Sequence, residues 1–311
     1  MTALLVAAGV GLIVLPGTLV RRWDRLRPSE WTRLNRASLW LGLWAVRAGL
    51  LLSAAPTVLR AAGIEHAAAA CHELFGPVLP GGAPVGWASA LSFGWIQGRM
   101  WQARRRTRAA LETVRVDGWL GTTSLVDGVE IVRLPTDEPL AYAVCGPPPQ
   151  VVISDGLAGT LSDAELDAVI RHERSHVEHH HQRHLTLAAA AQAALGRFGP
   201  VQRSAQALRL GVERWADEDA AASLPERSLV RTALAKVTAT MLGPIPAFTH
   251  GCTILDRLAA LDREPPSPTM ASRAMAAVPL LGLASLLAVT VAAWTTFTHH
   301  GLLGLVGFCP L

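Results

Sequence analysis

Four long stretches of this 311-residue chain carry almost no charge, and they constrain its architecture more than any other feature. Residues 2–20 (TALLVAAGVGLIVLPGTLV), 74–98 and 274–298 contain no charged side chain, and residues 37–59 contain only Arg47. A bilayer takes about 20 apolar residues per helical crossing, so each stretch is long enough to span. Half of the residues are hydrophobic and the mean hydropathy is +0.31, too apolar for an ordinary soluble domain. The expectation is four transmembrane helices, although Pro and Gly make the first half of 74–98 a poor helix.

Arginines set the orientation. Arg21, Arg22, Arg25, Arg27, Arg33 and Arg36 separate the first two stretches, and Arg99, Arg104, Arg105, Arg106 and Arg108 follow the third. By the positive-inside rule both regions are cytoplasmic, which puts the N-terminus and the tail after residue 298 outside. The first stretch lacks a basic leader, so it reads as a span and not as a cleaved signal peptide. Three parts follow: residues 1–98 with spans one to three, residues 99–273 as a cytoplasmic domain, and residues 274–311 with span four and a short outer tail. The net charge of +4 is explained by these membrane anchors, so no direct nucleic-acid partner is read from it. Lipid is the expected neighbour. Cys145 and Cys252 fall in the cytoplasmic part and are expected to be reduced, while Cys71 and Cys309 fall outside.

The cytoplasmic part opens with an Arg-rich amphipathic stretch, 99–116. Three β-like runs follow: Val129–Val132, Ala141–Val144 and Gln150–Ser154, separated by Pro- and Gly-containing turns. Ser162-Asp163-Ala164-Glu165 then makes a capping box. Leu166, Val169, Ile170 and Val177 form an apolar stripe at helical spacing.

That helix carries His172-Glu173-Arg174-Ser175-His176, an H-E-x-x-H motif. His172 and His176 leave one helix face a turn apart and can hold one zinc ion. Glu173 lies beside them as a general base for water. A catalytic zinc site also needs a third protein ligand and an open position. Glu213 is the candidate, with Asp217 one turn on to hold a ligand histidine through its outer nitrogen. The competing reading of Glu213 and Asp217 is a solvated acidic face, since Glu218 and Asp219 follow. His181, nine residues after His172 and five after His176, is a candidate outer-shell group. It is also the next choice of third ligand. His179, His180 and His184 fall mostly off the ligand face, where solvent-exposed polar roles are expected.

Together these motifs resemble a family. V-I-R-H-E-R-S-H-x-x-x-x-H, preceded by I-S-D-G-L-x-x-x-L-S-x-x-E-L and followed by E-x-x-A-D, is similar to the membrane-embedded gluzincin metallopeptidases. Two branches fit, the BlaR/MecR-type antirepressor peptidases and the Ste24/HtpX-type proteases. The layout of three spans, a zinc domain and a fourth span is similar to BlaR/MecR. Residues 299–311 leave no room for the penicillin-binding sensor of that branch, so the expectation is a relative without it. A weaker trace, His250-Gly251-Cys252-Thr253-Ile254-Leu255-Asp256-Arg257, is similar to the family's H-P-x-x-x-x-R-I pattern. It implies that His250 and Arg257 line the cleft, with His250 steadying an oxyanion. An ordinary loop histidine and a helix-end arginine are the alternative. Arg174 departs from the family, which usually has an apolar residue there.

The resemblance implies an α-helical membrane protein with four transmembrane helices and an α+β gluzincin-type zinc protease domain, mainly helical with a small sheet. It implies a zinc-dependent endopeptidase acting on the cytoplasmic side, with one Zn²⁺ per chain. The substrate would be a protein added as a strand along Ala141, Tyr142, Ala143 and Val144. A cytosolic transcriptional repressor of the BlaI/MecI kind is one candidate. Membrane-protein quality control of the Ste24/HtpX kind is the second enzymatic reading. A non-catalytic membrane scaffold or receptor, with zinc holding the fold, is the rival from another class.

Overall fold

The computed structural model describes residues 2–19, 26–69, 82–114, 121–221, 224–242 and 251–264, with isolated positions between 270 and 288. Three long helices lead the chain: α1 (Thr2–Leu19), α2 (Pro28–Ala61) and α3 (Gly82–Val114). Pro28 opens α2, where its fixed φ suits the first turn and its missing N–H has no intrahelical partner to lose. Glu30 near the start and Arg60 near the end complement the helix dipole.

Among the described residues, α2 is the one helix long and apolar enough to cross a membrane, and Leu5–Val14 is a shorter apolar helix. This suggests membrane association near the N-terminus. Residues 74–81 of the expected third span and most of the fourth, 274–298, lie outside the described residues, as do Cys71, Cys309 and His250. The outward faces of α2 and α3 expose Trp40, Trp44, Leu51, Trp87, Leu91 and Trp95, a larger apolar surface than water-facing helices normally carry.

The sheet comes next, with strands β1 (Thr122–Val126), β2 (Val129–Leu134), β3 (Ala141–Val144) and β4 (Gln150–Ser154). Its order is β1-β2-β4-β3, with β2 and β4 parallel and the outer pairs antiparallel. Three strands fall on the three expected runs. The fourth, β1, was not expected, because all five of its residues are exposed and carry no alternation. It is joined to β2 by Asp127-Gly128, both at positive φ, as a tight hairpin turn requires.

Helices follow among the described residues: α4 (Asp155–Ala158), α5 (Asp163–Glu178), α6 (His181–Leu195), α7 (Gly199–Ala220), α8 (Leu224–Leu242) and α9 (Gly251–Leu261). The capping box forms as the sequence predicts: the Ser162 N–H donates to Glu165 Oε2 at 2.8 Å and the Glu165 N–H to Ser162 Oγ at 3.4 Å. Glu165 also accepts from Lys236 Nζ at 2.7 Å, which ties α8 to the start of α5. The predicted stripe packs α5 onto the sheet, with Val177, Leu166 and Ile170 against Val129, Val151 and Ile153.

The expected boundary at 98/99 lies inside α3, and one core crosses it. Ile13, Leu39, Leu43, Ile96 and Met100 pack with Leu187, Ala191, Val201, Ala205 and Leu208 of α6 and α7. Buried polar contacts fasten the same seam. Asn35 Nδ2 donates to the Ser204 carbonyl at 3.2 Å, and Ser204 Oγ to the Ile13 carbonyl at 2.5 Å. Arg99 Nε donates to the Ala193 carbonyl at 3.0 Å. Gly211 lets α7 approach α2 closely, since a Cβ there would lie 2.6 Å from Thr32 Oγ1.

Candidate metal centre

α5 presents His172 and His176 on one face, and α7 packs across it with Glu213 and Asp217 on successive turns. The Nε2 atoms of the two histidines stand 3.2 Å apart. Two tetrahedral ligands about 2.0–2.1 Å from one zinc ion are about 3.3 Å apart, so the spacing fits. Glu213 faces the same point, its carboxylate 3.6 Å from His172 Nε2 and 3.9 Å from His176 Nε2. These three donors all lie within 4.8 Å of one another. The donor set is one that could hold a metal ion, and its two imidazoles and one carboxylate suit zinc.

Both outer ring nitrogens are held. His172 Nδ1 donates to Asp217 Oδ1 at 3.0 Å. His176 Nδ1 stands 3.0 Å from Nδ1 of His181. These contacts leave each Nε2 turned inward, which is what metal ligation needs. Asp217 is itself clamped by Arg257, which donates to its two oxygens at 2.7 and 2.8 Å and approaches Glu213 at 3.0 Å. Glu213 and Asp217 therefore do not form a solvated face. Glu218 ion-pairs with buried Arg227, and Asp219 accepts from Ser175 at 2.7 Å and pairs with His179 at 2.9 Å.

The electrostatics follow from this packing. Burial pushes the His172 pKa down, but Asp217 and Glu213 outweigh it and hold the group up at about 10. Burial works against ionisation of Glu213, yet His172, His176 and Arg257 keep its carboxyl well below the usual range. Burial lowers His176. Burial, with His176 and His184 nearby, pushes His181 down to about 2. His181 is thus neutral, and its Nδ1 stands where it could accept the Nδ1–H of a His176 that ligates through Nε2.

His181, expected from its spacing as an outer-shell group, reaches this place across a break between two helices. α5 ends at Glu178, His180 adopts a left-handed conformation with φ 51°, and His181 begins α6. His184, expected at the surface, is instead buried beside His181 and Trp215. Trp215 also stacks on His179 and carries Arg33 over its ring. Arg174 points away from the site, toward Asp127 of the β1–β2 turn at 2.9 Å and Glu178 at 3.1 Å. That pairing accounts for the charge at this position, where the resemblance led to an apolar residue.

A cleft of about 280 Å³ opens beside the ligands, and His172, Glu173, Glu213, Asp217 and Arg257 line it. Ala141 of β3 contributes to its rim, and among the described residues β3 is an edge strand paired only with β4. Tyr142 faces the other way, packing near Val132 and Val152. The far wall is apolar, formed by Val230, Ala233, Leu234 and Val237 of α8 with Ile254 of α9. This wall was missed in the sequence, although residues 230, 233, 234 and 237 keep a helical spacing that could have marked it. His250 lies outside the described residues.

Residues 127–250 match the model of peptidase family M48. The matched region holds both histidines, Glu173, Glu213 and Asp217, and supports a zinc-dependent metallopeptidase. No curated protein and no solved structure matches the chain.

Proposed function

We propose that this chain is an integral-membrane zinc endopeptidase that cleaves proteins on the cytoplasmic side. The observation that carries the reading is the convergence of His172 Nε2, His176 Nε2 and the Glu213 carboxylate beside Glu173 in one cleft. His172, His176 and Glu213 would hold the ion. A zinc ion held there would supply Lewis acidity to the scissile carbonyl and to water. Glu173 takes the proton of the attacking water and returns it to the leaving amine. Asp217 and His181 orient the two ligand imidazoles, and Arg257 holds Asp217 in place. The substrate strand would lie along the free edge of β3, with one side chain entering the apolar end of the cleft.

The family match supports peptidase chemistry, and the apolar α2 with its flanking arginines supports the membrane setting. A cytosolic repressor of the BlaI/MecI kind is one substrate class for this geometry. Membrane-protein quality control of the Ste24/HtpX kind is the second. The packing of α6 and α7 directly onto α1–α3 favours the latter, because it keeps the cleft close to the helices expected in the bilayer. A purely structural zinc site would have no use for a carboxylate placed as Glu173 is.

Glu173→Gln tests the reading. Proteolysis should fall at least about a hundredfold, the scale of a lost general base, while one zinc per chain is retained. Unchanged cleavage by that variant would defeat the mechanism. Cleavage of a membrane-protein substrate, or of a soluble repressor, by the wild type and not by the variant would separate the two substrate classes.

A further inference from the structure

The turn between α6 and α7 reaches the level of the apolar helices. α6 leaves the metal site and runs antiparallel to α3. Arg183 and Thr186 share a cavity with Thr107 and Arg108, and farther along the Ala193 carbonyl accepts from Arg99 Nε at 3.0 Å. α7 returns antiparallel to α2, with the Ser204 carbonyl on Asn35 and Gly211 against Thr32. Ser204 Oγ also donates to the Ile13 carbonyl at 2.5 Å. Ile13 lies inside the uncharged stretch 2–20, and α1 runs on from it to Leu19, about 9 Å farther. The turn at 196–199 lies on the far side of Ser204 from the metal site, so it stands at least as deep as Ser204.

The surface at that level has the composition of a lipid headgroup boundary. Ser89 Oγ meets Ser53 Oγ at 3.1 Å, and Gly86 packs against Thr57, so α2 and α3 are antiparallel. This register sets Trp40 and Trp44 of α2 level with Trp95 and Trp101 of α3, and all four are exposed. Arg99 and Arg105 lie over the Trp95 and Trp101 rings, 5.6 and 4.6 Å from their centroids. Exposed tryptophans backed by arginines are what membrane helices carry where they meet the headgroups. Leu39, Leu43, Ile96 and Met100 of the same level share one core with Ala194 and Val201, which flank the turn.

The turn itself suits that boundary. Residues 185–196 (LTLAAAAQAALG) carry no charge but are too few to cross a bilayer, a length typical of interfacial segments. At the tip Phe198 is 46% exposed, and Arg197 and Arg203 beside it are exposed as well. The N–H groups of Gly196 and Phe198 donate to the carbonyls of Gln192 and Leu195 at 2.8 and 2.9 Å, which removes the cost of baring them to lipid. An apolar ring between two cations matches acyl chains topped by phosphates. We propose that the α6–α7 turn docks on the cytoplasmic leaflet, with Phe198 inserted at the headgroup level and Arg197 and Arg203 on the lipid phosphates. The inference rests on the membrane setting proposed above. It also limits the reach of the enzyme: α6 has 15 residues, so the metal site stands at most about 22 Å from the lipid surface.

The test uses the full chain in nanodiscs of phosphatidylcholine and phosphatidylglycerol. With the native cysteines replaced by serine, nitroxide labels are attached singly at Phe198→Cys, Trp95→Cys and Ser124→Cys, the last on exposed β1. Electron spin resonance compares collisions with oxygen, which concentrates in lipid, and with a nickel chelate, which stays in water. The oxygen-to-nickel ratio should be several-fold higher at 198 and at 95 than at 124. The unaltered chain supplies a second measurement, free of any substitution. Phosphatidylcholine with a diazirine high on its acyl chain should label the peptide that holds Phe198, as mapped by mass spectrometry. A ratio at 198 no higher than at 124, or an unlabelled peptide, overturns the proposal while a high ratio at 95 keeps the membrane setting intact. Low ratios at both 198 and 95 overturn the membrane setting, and this docking with it.

Discussion

The two candidate ligand histidines sit in one site but in opposite surroundings. His172 leans on charge: Asp217 and Glu213 on its two nitrogens, with Arg257 behind them. His176 leans on neutral rings: His181 at its outer nitrogen, then His184 and Trp215. The first arrangement raises a ligand's basicity by electrostatics, while the second fixes a tautomer with almost no charge. The contrast shows that a symmetrical motif can be oriented by two different kinds of outer shell.

The largest break should come on the charged side. Asp217→Ala leaves the Arg257 cation buried with one partner lost, which costs about 3–5 kcal/mol. It should also weaken zinc binding about 10–100-fold. Thermal unfolding of the metal-free protein and competitive zinc titration measure the two effects. On the neutral side, His181→Leu should weaken zinc binding by only about tenfold, and His181→Asn, which restores an acceptor near Nδ1, should recover most of it. Equal losses for Asp217→Ala and His181→Leu would erase the contrast.

pH sharpens it next. His172 is held at about 10, above its ordinary 6.5, so its charged form stabilises the metal-free fold fully below pH 6.5. That contribution is lost as pH rises through about 10. Zinc must displace this proton, so zinc affinity should rise up to about tenfold per pH unit between pH 7 and 9. Titration calorimetry in buffers of different ionisation heat should show close to one proton released, and Asp217→Asn should reduce it. Release that is unaffected by Asp217→Asn would place the proton elsewhere. The smallest effect belongs to His179, whose pair with Asp219 is partly exposed. His179→Ala should cost less than about 1 kcal/mol in unfolding and leave zinc binding intact.

Much of the site was legible because its geometry is local. The capping box, the apolar stripe and H-E-x-x-H all depend on residues within one or two turns of α5. Glu213 and Asp217 were legible only as partners for that motif, since their i, i+4 spacing states that they share a face but not what the face meets. What escaped depended on breaks and on distant packing. The chain reversal at His180 turns His184 inward, and no helical periodicity encodes it. β1 is exposed on every residue, so it lacks the alternation that marks a strand. The apolar wall on α8 had the right spacing, but its partner surface is built by α5 and α9, far away in sequence.

The seam between α1–α3 and α6–α7 has a practical meaning for how such an enzyme can be cut or inherited. A fragment beginning near residue 99 would bare Leu187, Val201 and Leu208 to water and strip Ser204 of its partners Asn35 and Ile13. The catalytic half is not portable: it should aggregate when expressed alone, and grafting it onto foreign membrane helices should fail unless Asn35 and Thr32 travel with it.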